Sequence, residues 1–508
     1  MPEETRVQLT GDPAIDHTSL KKSLVQGVLW TGGVKWIAQL VSWPIMIIIA
    51  RLLTPADFGF VALVTVWTRL ILLVTEGGVG GAIVFGPSLD SKTLRQLNAI
   101  AISLSVAAFA VACVAALPVA RFYRSGDLTW VMIAVAGTFL LEGAMLIPTA
   151  RMRRDMRFRE LALADAARAI ADSCVTLTLA YLGGRYWSLV GGYVSGVVVV
   201  AIISICLCPT GYDRPSWATV GPTLRYAFDL LLTSITSFLY TSSDLLIAGR
   251  ILGATAVGAY SFAGTLAYAP GEKLVSVLTR VTPSIFGTIG ADKASTRTYV
   301  EKITSLLAIT TLPVLGGIAA TAPTLVPLLL GSQWNATIVP LQLVCVHAAV
   351  VAVTGIVTQV LQATGNARVV TQNSFLALLV YPPAFYFFGT SWGIIGIAAA
   401  WACISPILVV RLVWRMCGVI ELSSAKYARM LVPATLSTLW MFGWVRGIAH
   451  YFVSTPVPGI ANLAVEVGIG IVAYTIAIAI LDRDTASYLL KRVIGGRFLI
   501  RRPQRPRL

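Results

Sequence analysis

Residues 97–119 have the sequence LNAIAISLSVAAFAVACVAALPV, a run without a single charged side chain. About 20 apolar residues in a helix cross the ~30 Å hydrocarbon core of a bilayer. Comparable runs recur along the whole chain, in which 56% of the 508 residues are hydrophobic and 12% are charged. A soluble domain usually carries about 25% charged residues. The composition therefore excludes an ordinary soluble protein.

In lipid, only α-helices and closed β-barrels satisfy every backbone hydrogen-bonding group. Barrel strands are segments of about ten residues in which apolar and polar side chains alternate, and the apolar runs here do not alternate. We therefore predict an all-α polytopic membrane protein. About fourteen transmembrane helices are expected, over roughly residues 25–49, 58–76, 97–119, 129–149, 161–182, 187–208, 226–248, 257–279, 303–329, 338–361, 369–389, 392–414, 428–446 and 459–481.

The distribution of Lys and Arg predicts the orientation in the membrane, because cytoplasmic loops carry an excess of both. An even number of spans puts both termini on one side. A cytoplasmic N-terminus places 29 of the 39 basic residues inside and 6 outside, with 4 within spans. We therefore expect a multi-pass protein of the cell (inner) membrane with both termini in the cytoplasm. Residues 1–20 are polar, so no cleaved signal peptide is expected.

The net charge of +16 would suggest nucleic acid as the partner of a soluble protein. Here the basic residues lie in short loops and in the tail at 482–508, so we expect anionic lipid at that tail and no nucleic acid. The seven cysteines are scattered along apolar runs without a CxxC pair, which is typical of packing residues. No cofactor or metal is expected.

An internal repeat predicts two similar halves. Ala50-Arg51-Leu52-Leu53, followed by Gly59, recurs 199 residues later as Gly249-Arg250-Ile251-Leu252, followed by Gly258. Parallel repeats of this kind form two lobes around a central site. The expected division is a cytoplasmic tail (1–22), an N-lobe of spans 1–6 (23–208), a cytoplasmic linker (209–224), a C-lobe of spans 7–12 (225–417), spans 13–14 (418–481) and a basic cytoplasmic tail (482–508).

Basic residues within the predicted spans are the first candidates for a site. A charged group at the centre of a spanning helix costs about 2.5–3.5 kcal/mol, so it usually faces a cavity or a partner. We hypothesise that these cations line a cavity between the lobes and attract an anionic substrate. They are Lys35, Arg69, Lys273 and Arg168.

Acidic residues in or beside the spans are candidates for ion coupling or for pairing with these cations. They are Asp165, Asp172, Asp244, Glu272 and Glu76. Asp165, Arg168 and Asp172 stand at i, i+3 and i+7, so the arginine can pair with either carboxylate. The alternative is that such charges only pair with one another to hold helices together.

Residues 49–59 have the sequence IARLLTPADFG, which resembles the A-R-x-L-x-P-x-[DE]-[FY]-G signature of the Wzx-type branch of the multidrug/oligosaccharidyl-lipid/polysaccharide superfamily. The stretch EGGVG at 76–80 resembles the family's sequence that ends span 2, and RMRRDMRFR at 151–159 resembles its loop after span 4. The span count and the half-repeat agree with that family over nearly the whole chain.

The resemblance implies alternating access between two six-helix lobes, with a polyprenyl-diphosphate-linked oligosaccharide carried from the inner to the outer leaflet. It implies a place in surface polysaccharide biosynthesis (exopolysaccharide, capsule or O-antigen), with polysaccharide polymerase and export proteins as possible partners. Spans 13 and 14 would help accommodate the lipid tail. Lys35 and Arg69 would be the cations typical of spans 1 and 2 in related flippases. A diphosphate cannot cross hydrocarbon unaided, and a cationic, water-filled cavity lowers that barrier.

Three other functions stay open. A drug exporter of the same superfamily would favour an acidic cavity, whereas this one has cations. A membrane glycosyltransferase or polymerase would need a large outer loop. A folded extramembrane domain takes at least about 50 residues, and no loop predicted here is that long, so we do not expect an enzyme. A non-transporting scaffold would have little need for buried charges.

Overall fold

The computed structural model describes residues 42–76, 90–270, 292–452 and 459–482, and within these ranges it is a bundle of helices without a β-strand. A 3₁₀ turn at Ser332–Thr337 joins α10 to α11. The helices are α1 (Ser42–Leu52), α2 (Pro55–Glu76), α3 (Ser91–Phe122), α4 (Asp127–Ala136), α5 (Thr138–Arg154), α6 (Phe158–Tyr181), α7 (Tyr186–Leu207), α8 (Trp217–Leu252), α9 (254–270), α10 (Lys293–Leu330), α11 (Ile338–Ala363), α12 (Ala367–Val419), α13 (Ser424–Phe452) and α14 (Gly459–Leu481).

These helices confirm an all-α membrane protein with many spans. Eight helical stretches of the described residues are long and apolar enough to cross a bilayer. The exact number of fourteen stays a prediction. Helix α8 begins at Trp217, within the segment predicted to be a linker, so this helix extends beyond the apolar run that signalled it. The division into tails, lobes and linker likewise stays a prediction.

Helix α12 contains two predicted spans. Its 53 residues would extend about 80 Å as a straight helix. Gly393 interrupts it with a left-handed backbone (φ 63°, ψ −144°). A Cβ at Gly396 would lie 1.9 Å from the carbonyl oxygen of Phe388. The chain therefore doubles back here, as the separate predictions for 369–389 and 392–414 require.

Within the described residues, the connections between spans lie at two ends of the bundle. We call one end the Arg51 face and the other the opposite face. The Arg51 face carries residues 53–54, 123–126, 182–185, 253, Ser332–Thr337 and the turn at 390–393, where a Cβ at Gly389 would lie 2.9 Å from Ile251 Cδ1. At the opposite face, Lys293 Nζ contacts Glu421 Oε1 at 2.6 Å and joins the start of α10 to the α12–α13 connection. The hydrogen bond and the positive charge of Lys293 hold the pKa of Glu421 below its ordinary value of 4.5.

The repeat motif brings the two halves, α1–α7 and α8–α12, into contact. A Cβ added at Gly59 would lie 1.8 Å from the carbonyl oxygen of Ala254, and one added at Gly258 would lie 1.7 Å from that of Pro55. Pro55 and Ala254, like the two glycines, stand 199 residues apart. The contact is therefore reciprocal, as expected where two copies of one motif meet at an approximate two-fold axis.

Prolines shape α10, which packs against α11, α13 and α14. Pro313 and Pro323 lack an N–H group, so the carbonyls four residues earlier lose their helical partners. Side chains from neighbouring helices replace those partners. The Tyr474 hydroxyl donates to Ile309 O at 2.9 Å, and Gln342 Nε2 donates to Ala319 O at 3.0 Å. These bonds fix α10 to α14 and to α11.

Candidate transport site

The structure describes the side chains of five predicted site residues. They are Arg69, Asp165, Arg168, Asp172 and Asp244. Three others, Lys35, Glu272 and Lys273, lie outside the described residues. Glu76 is the last residue of α2, and its side chain is also outside the described set.

Arg69 lies in α2 with an exposed side chain. The buried side of that helix is formed by Leu63, Val64 and Thr68, which are at most 3% exposed. An arginine that faces hydrocarbon near the bilayer centre costs about 2.5–3.5 kcal/mol, so an exposed arginine in a spanning helix is favourable beside a water-filled cavity. The position of Arg69 is compatible with the predicted role of a cavity cation.

Helices α6 and α7 pack closely because α7 carries Gly192 and Gly196, a pair of small residues one turn apart. A Cβ at Gly196 would lie 3.1 Å from Arg168 Cγ, and one at Gly192 would lie 2.6 Å from Asp172 Oδ1. Arg168 Cζ lies 5.7 Å from the centroid of the Tyr193 ring. This cation–π contact holds the guanidinium at the α6–α7 interface.

Glu142 of α5 adds a buried carboxylate to this group, and sequence reasoning had given it no role. It is 5% exposed, and the Tyr193 hydroxyl donates to its Oε1 at 3.0 Å. Tyr193 thus contacts an acid of α5 through its hydroxyl and Arg168 through its ring. The sequence gives no sign of this contact, because Tyr193 is 51 residues further along the chain. Pairing of Arg168 with Asp165 or Asp172 stays a prediction.

Asp244 lies in a buried aromatic cluster of the second half and is 7% exposed. Its Oδ2 accepts hydrogen bonds from the Tyr260 hydroxyl at 2.6 Å and from Trp401 Nε1 at 3.0 Å. The His347 ring lies 4.4 Å from the Trp401 ring, and the Tyr381 ring lies 4.3 Å from it on α12. The sequence predicted Asp244 as a candidate ion carrier but gave no sign of its partners.

The signature at 49–59 builds the Arg51 face of the first half. Thr54 donates to Asp57 Oδ2 from its backbone N–H at 2.9 Å and from its hydroxyl at 2.6 Å. Asp57 is 2% exposed, and Arg185 Nε lies 3.7 Å from its other oxygen. Phe58 meets the rings of Phe262 and Trp334 edge-on, each at 5.3 Å. Asp57 therefore holds the loop of the signature through Thr54, and Phe58 contacts the second half.

Glu466 of α14 is a second buried acid that sequence reasoning left without a role. It is 2% exposed, and Thr324 of α10 donates to its Oε1 at 2.7 Å. It lies on the packed face of α14 with Gly470 and Ala473. The contact fixes α14 to α10 close to the Arg51 face.

A family described as a polysaccharide biosynthesis protein matches residues 48–339. The chain belongs to this family. Curated relatives resemble the chain over most of its length. The lipopolysaccharide biosynthesis protein WzxC of Escherichia coli is 25% identical over 75% of this chain and 78% of its own length. The succinoglycan biosynthesis transport protein ExoT of Rhizobium meliloti is 23% identical over 88% of this chain and 90% of its own length.

Solved structures share the fold of this polysaccharide biosynthesis protein. The lipid II flippase MurJ in an inward closed conformation matches with a TM-score of 0.73 at 14% identity, over 88% of this chain and 98% of its own. An inward-facing multidrug resistance transporter of the MATE family and the MOP superfamily matches with a TM-score of 0.59 at 15% identity, over 75% of this chain and 96% of its own. At such identities the likeness concerns the fold.

The segment that matches the polysaccharide biosynthesis family includes the signature loop and most of the candidate residues. It begins before Arg51, contains Arg69, Arg168 and Asp244, and ends just beyond Trp334. Helices α13 and α14, with Glu466, follow the matched segment.

Proposed function

We propose that the chain carries a polyprenyl-diphosphate-linked oligosaccharide from the inner to the outer leaflet of the cytoplasmic membrane by alternating access. Its product would enter the synthesis of a surface polysaccharide. The single observation that supports this most is membership of the polysaccharide biosynthesis family over residues 48–339. The likeness of the fold to a lipid II flippase is compatible with it.

The chemistry of the cargo explains why cations would be needed in the membrane. A diphosphate group carries negative charge that hydrocarbon cannot solvate. Arg69 on an exposed part of α2 and Arg168 on the Tyr193 ring would attract that group, together with Lys35 and Lys273. The oligosaccharide would follow through the water-filled cavity, and the prenyl chain would stay in lipid beside α13 and α14.

The direction of transport follows from charge and orientation. We place the Arg51 face outside and both termini in the cytoplasm, because 29 of the 39 Lys and Arg then lie on the inner side. A cell interior at negative potential favours outward movement of an anion by about 2.3 kcal/mol per charge per 100 mV. Asp244, and possible carriers such as Asp165 and Asp172, would let an accompanying ion contribute.

Mass spectrometry of lipid extracts tests this function. A strain without the protein should accumulate a polyprenyl-diphosphate oligosaccharide and lose its surface polymer. Complementation with the wild-type chain should restore both, whereas the Arg69→Ala chain should restore them poorly. A full-length polymer at normal levels with no trapped lipid intermediate would contradict the proposal.

A second candidate is the export of small cationic molecules, which the fold of the MATE transporter favours. The buried Asp244 would then attract the cargo. Loss of the protein should in that case raise the drug sensitivity of the strain without any lipid intermediate.

A further inference from the structure

The C-terminal end of α10 is held by a side chain of the other half. The last carbonyl groups of a helix lack partners within it. Arg51 Nε donates to Leu329 O at 2.8 Å, and Arg51 Nη2 donates to Leu328 O. A positive charge beside the C-terminus of a helix is also favoured by the helix dipole. Arg51 therefore caps α10 across the boundary between the halves.

The second half caps the first in return. Trp334 Nε1 donates to Ala50 O at 2.8 Å, close to the C-terminal end of α1. Gln333 Nε2 donates to Ala50 O and to Leu53 O, each at 3.1 Å. Each half thus supplies donors to the helix end of the other, and all these bonds lie at the Arg51 face.

The repeat counterpart of Arg51 makes a different contact. Arg250 also reaches across to the other half, where its Cζ lies 5.5 Å from the centroid of the Phe122 ring at the end of α3. Helix α3 is the third span of the first half, as α10 is the third span of the second. Both arginines are exposed. The two contacts are therefore related by the repeat, but Arg250 contacts a ring, whereas Arg51 binds backbone carbonyls.

We propose that Arg51 is a positioning residue of the transport cycle, whose guanidinium is the releasable link that holds the Arg51 face closed. Opening of this face requires Arg51 to leave the carbonyls of Leu328 and Leu329. Because the guanidinium is exposed, water can replace these acceptors when the link is released. The proposal rests on the alternating access proposed above, but it concerns the closed state and not the cargo.

A distance measurement in the absence of cargo tests the proposal. Spin labels at Gly126 and Ser391, in a chain whose native cysteines are replaced, report the separation of the halves at the Arg51 face. A side chain at Gly126 would meet open space, and Ser391 is exposed. The wild-type chain in liposomes should show mainly the short distance of the closed face.

Arg51→Ala should raise the ratio of long to short distances roughly tenfold, since hydrogen bonds to a charged donor are lost at an exposed site. Arg250→Ala is the matched control, because it removes the same charge from the related position. It should change the ratio only about two- to fivefold, since it loses one exposed cation–π contact. Arg51→Lys should recover part of the closed population, because an ammonium group can still bind one carbonyl.

A second variant removes hydrogen bonds that the second half donates to the first at the same face. Gln333→Ala deletes the bonds to Ala50 and Leu53 and should shift the distances in the same direction as Arg51→Ala. Equal distance distributions for the wild type, Arg51→Ala and Gln333→Ala would overturn the proposal, as would equal effects of Arg51→Ala and Arg250→Ala. The lipid-intermediate assay is independent, so a failed link and a failed transport function give different results.

Discussion

Replacement of Gly258 by alanine tests the contact on which the closed arrangement of the halves depends. The new Cβ would lie 1.7 Å from Pro55 O, whereas a carbon and an oxygen atom in contact are about 3.3 Å apart. Because the obstacle is backbone, α2 and α9 would have to separate by roughly 1.5 Å, on the same comparison of contact distances.

The expected magnitude follows from the overpacking of the closed state. Overpacking costs about 1–3 kcal/mol, and the upper end applies where backbone cannot move aside. Alanine in place of glycine also stabilises the helix by about 1 kcal/mol, but it does so in the open and closed states alike and leaves their ratio unchanged. A cost of about 2–3 kcal/mol corresponds to a roughly 30- to 150-fold loss of the closed state relative to the open one.

The Gly126/Ser391 distance measurement is the assay for this prediction, with size-exclusion chromatography to confirm that each variant is folded. Gly264→Ala is a matched control, because it lies in the same helix and its new Cβ would meet only the Tyr268 ring at 3.7 Å. Gly258→Ala should populate the long distance, and Gly264→Ala should not. Indistinguishable distributions for the two variants would refute the close approach of the halves.

Three further perturbations have defined outcomes. Lys293→Ala should reduce thermal stability only above the lowered pKa of Glu421. In the wild-type chain the Lys293–Glu421 pair stabilises the fold above pH 4.5, and this stabilisation is lost as the pH falls through the lowered pKa of Glu421. The melting temperatures of the wild type and of Lys293→Ala should therefore converge in acid. A difference that stays constant with pH would contradict the pairing. Tyr193→Phe should cost about 1–3 kcal/mol, because it removes the hydrogen bond that the Tyr193 hydroxyl donates to the buried Glu142 carboxylate. A melting temperature equal to that of the wild type would argue against this bond. Asp244→Asn should preserve folding but abolish any dependence of transport on a sodium or proton gradient, and a retained dependence would exclude Asp244 as the carrier.

Hydrophobic patterning predicted the helices well, because a spanning helix needs a long apolar run whatever its neighbours are. The run at 97–119 became the central part of α3. The turn at Gly393 lies two residues beyond the gap predicted between the runs at 369–389 and 392–414. The ends of the helices were less predictable. Helix α8 begins at Trp217, ahead of its apolar run, since polar residues can extend a helix beyond the hydrocarbon.

The candidate site was predictable only in part. A charge within an apolar run is conspicuous, which is why Arg69, Arg168 and Asp244 could be named from the sequence. Their partners could not be named, because Tyr193 and Trp401 are ordinary aromatic residues until the fold brings them close. Glu466 is equally conspicuous in its run, but its role depends on Thr324, 142 residues away.

The contacts of the signature loop show the same limit. The resemblance identified Arg51 as part of a family motif without assigning it a contact. Its acceptors lie 277 and 278 residues further along the chain, at a helix end that α10 exposes to it. Only the packing of the two halves brings that end within reach.

The central claim is translocation of a lipid-linked oligosaccharide between leaflets, and reconstitution tests it most directly. The purified chain would be placed in liposomes that carry a polyprenyl-diphosphate oligosaccharide, and a glycosidase added outside would measure the fraction of glycan exposed in the outer leaflet. We predict that the wild-type chain lets the enzyme reach glycan from both leaflets, whereas Arg69→Ala leaves most of the inner-leaflet pool protected. A protected pool of equal size in liposomes with and without the wild-type chain would contradict the account.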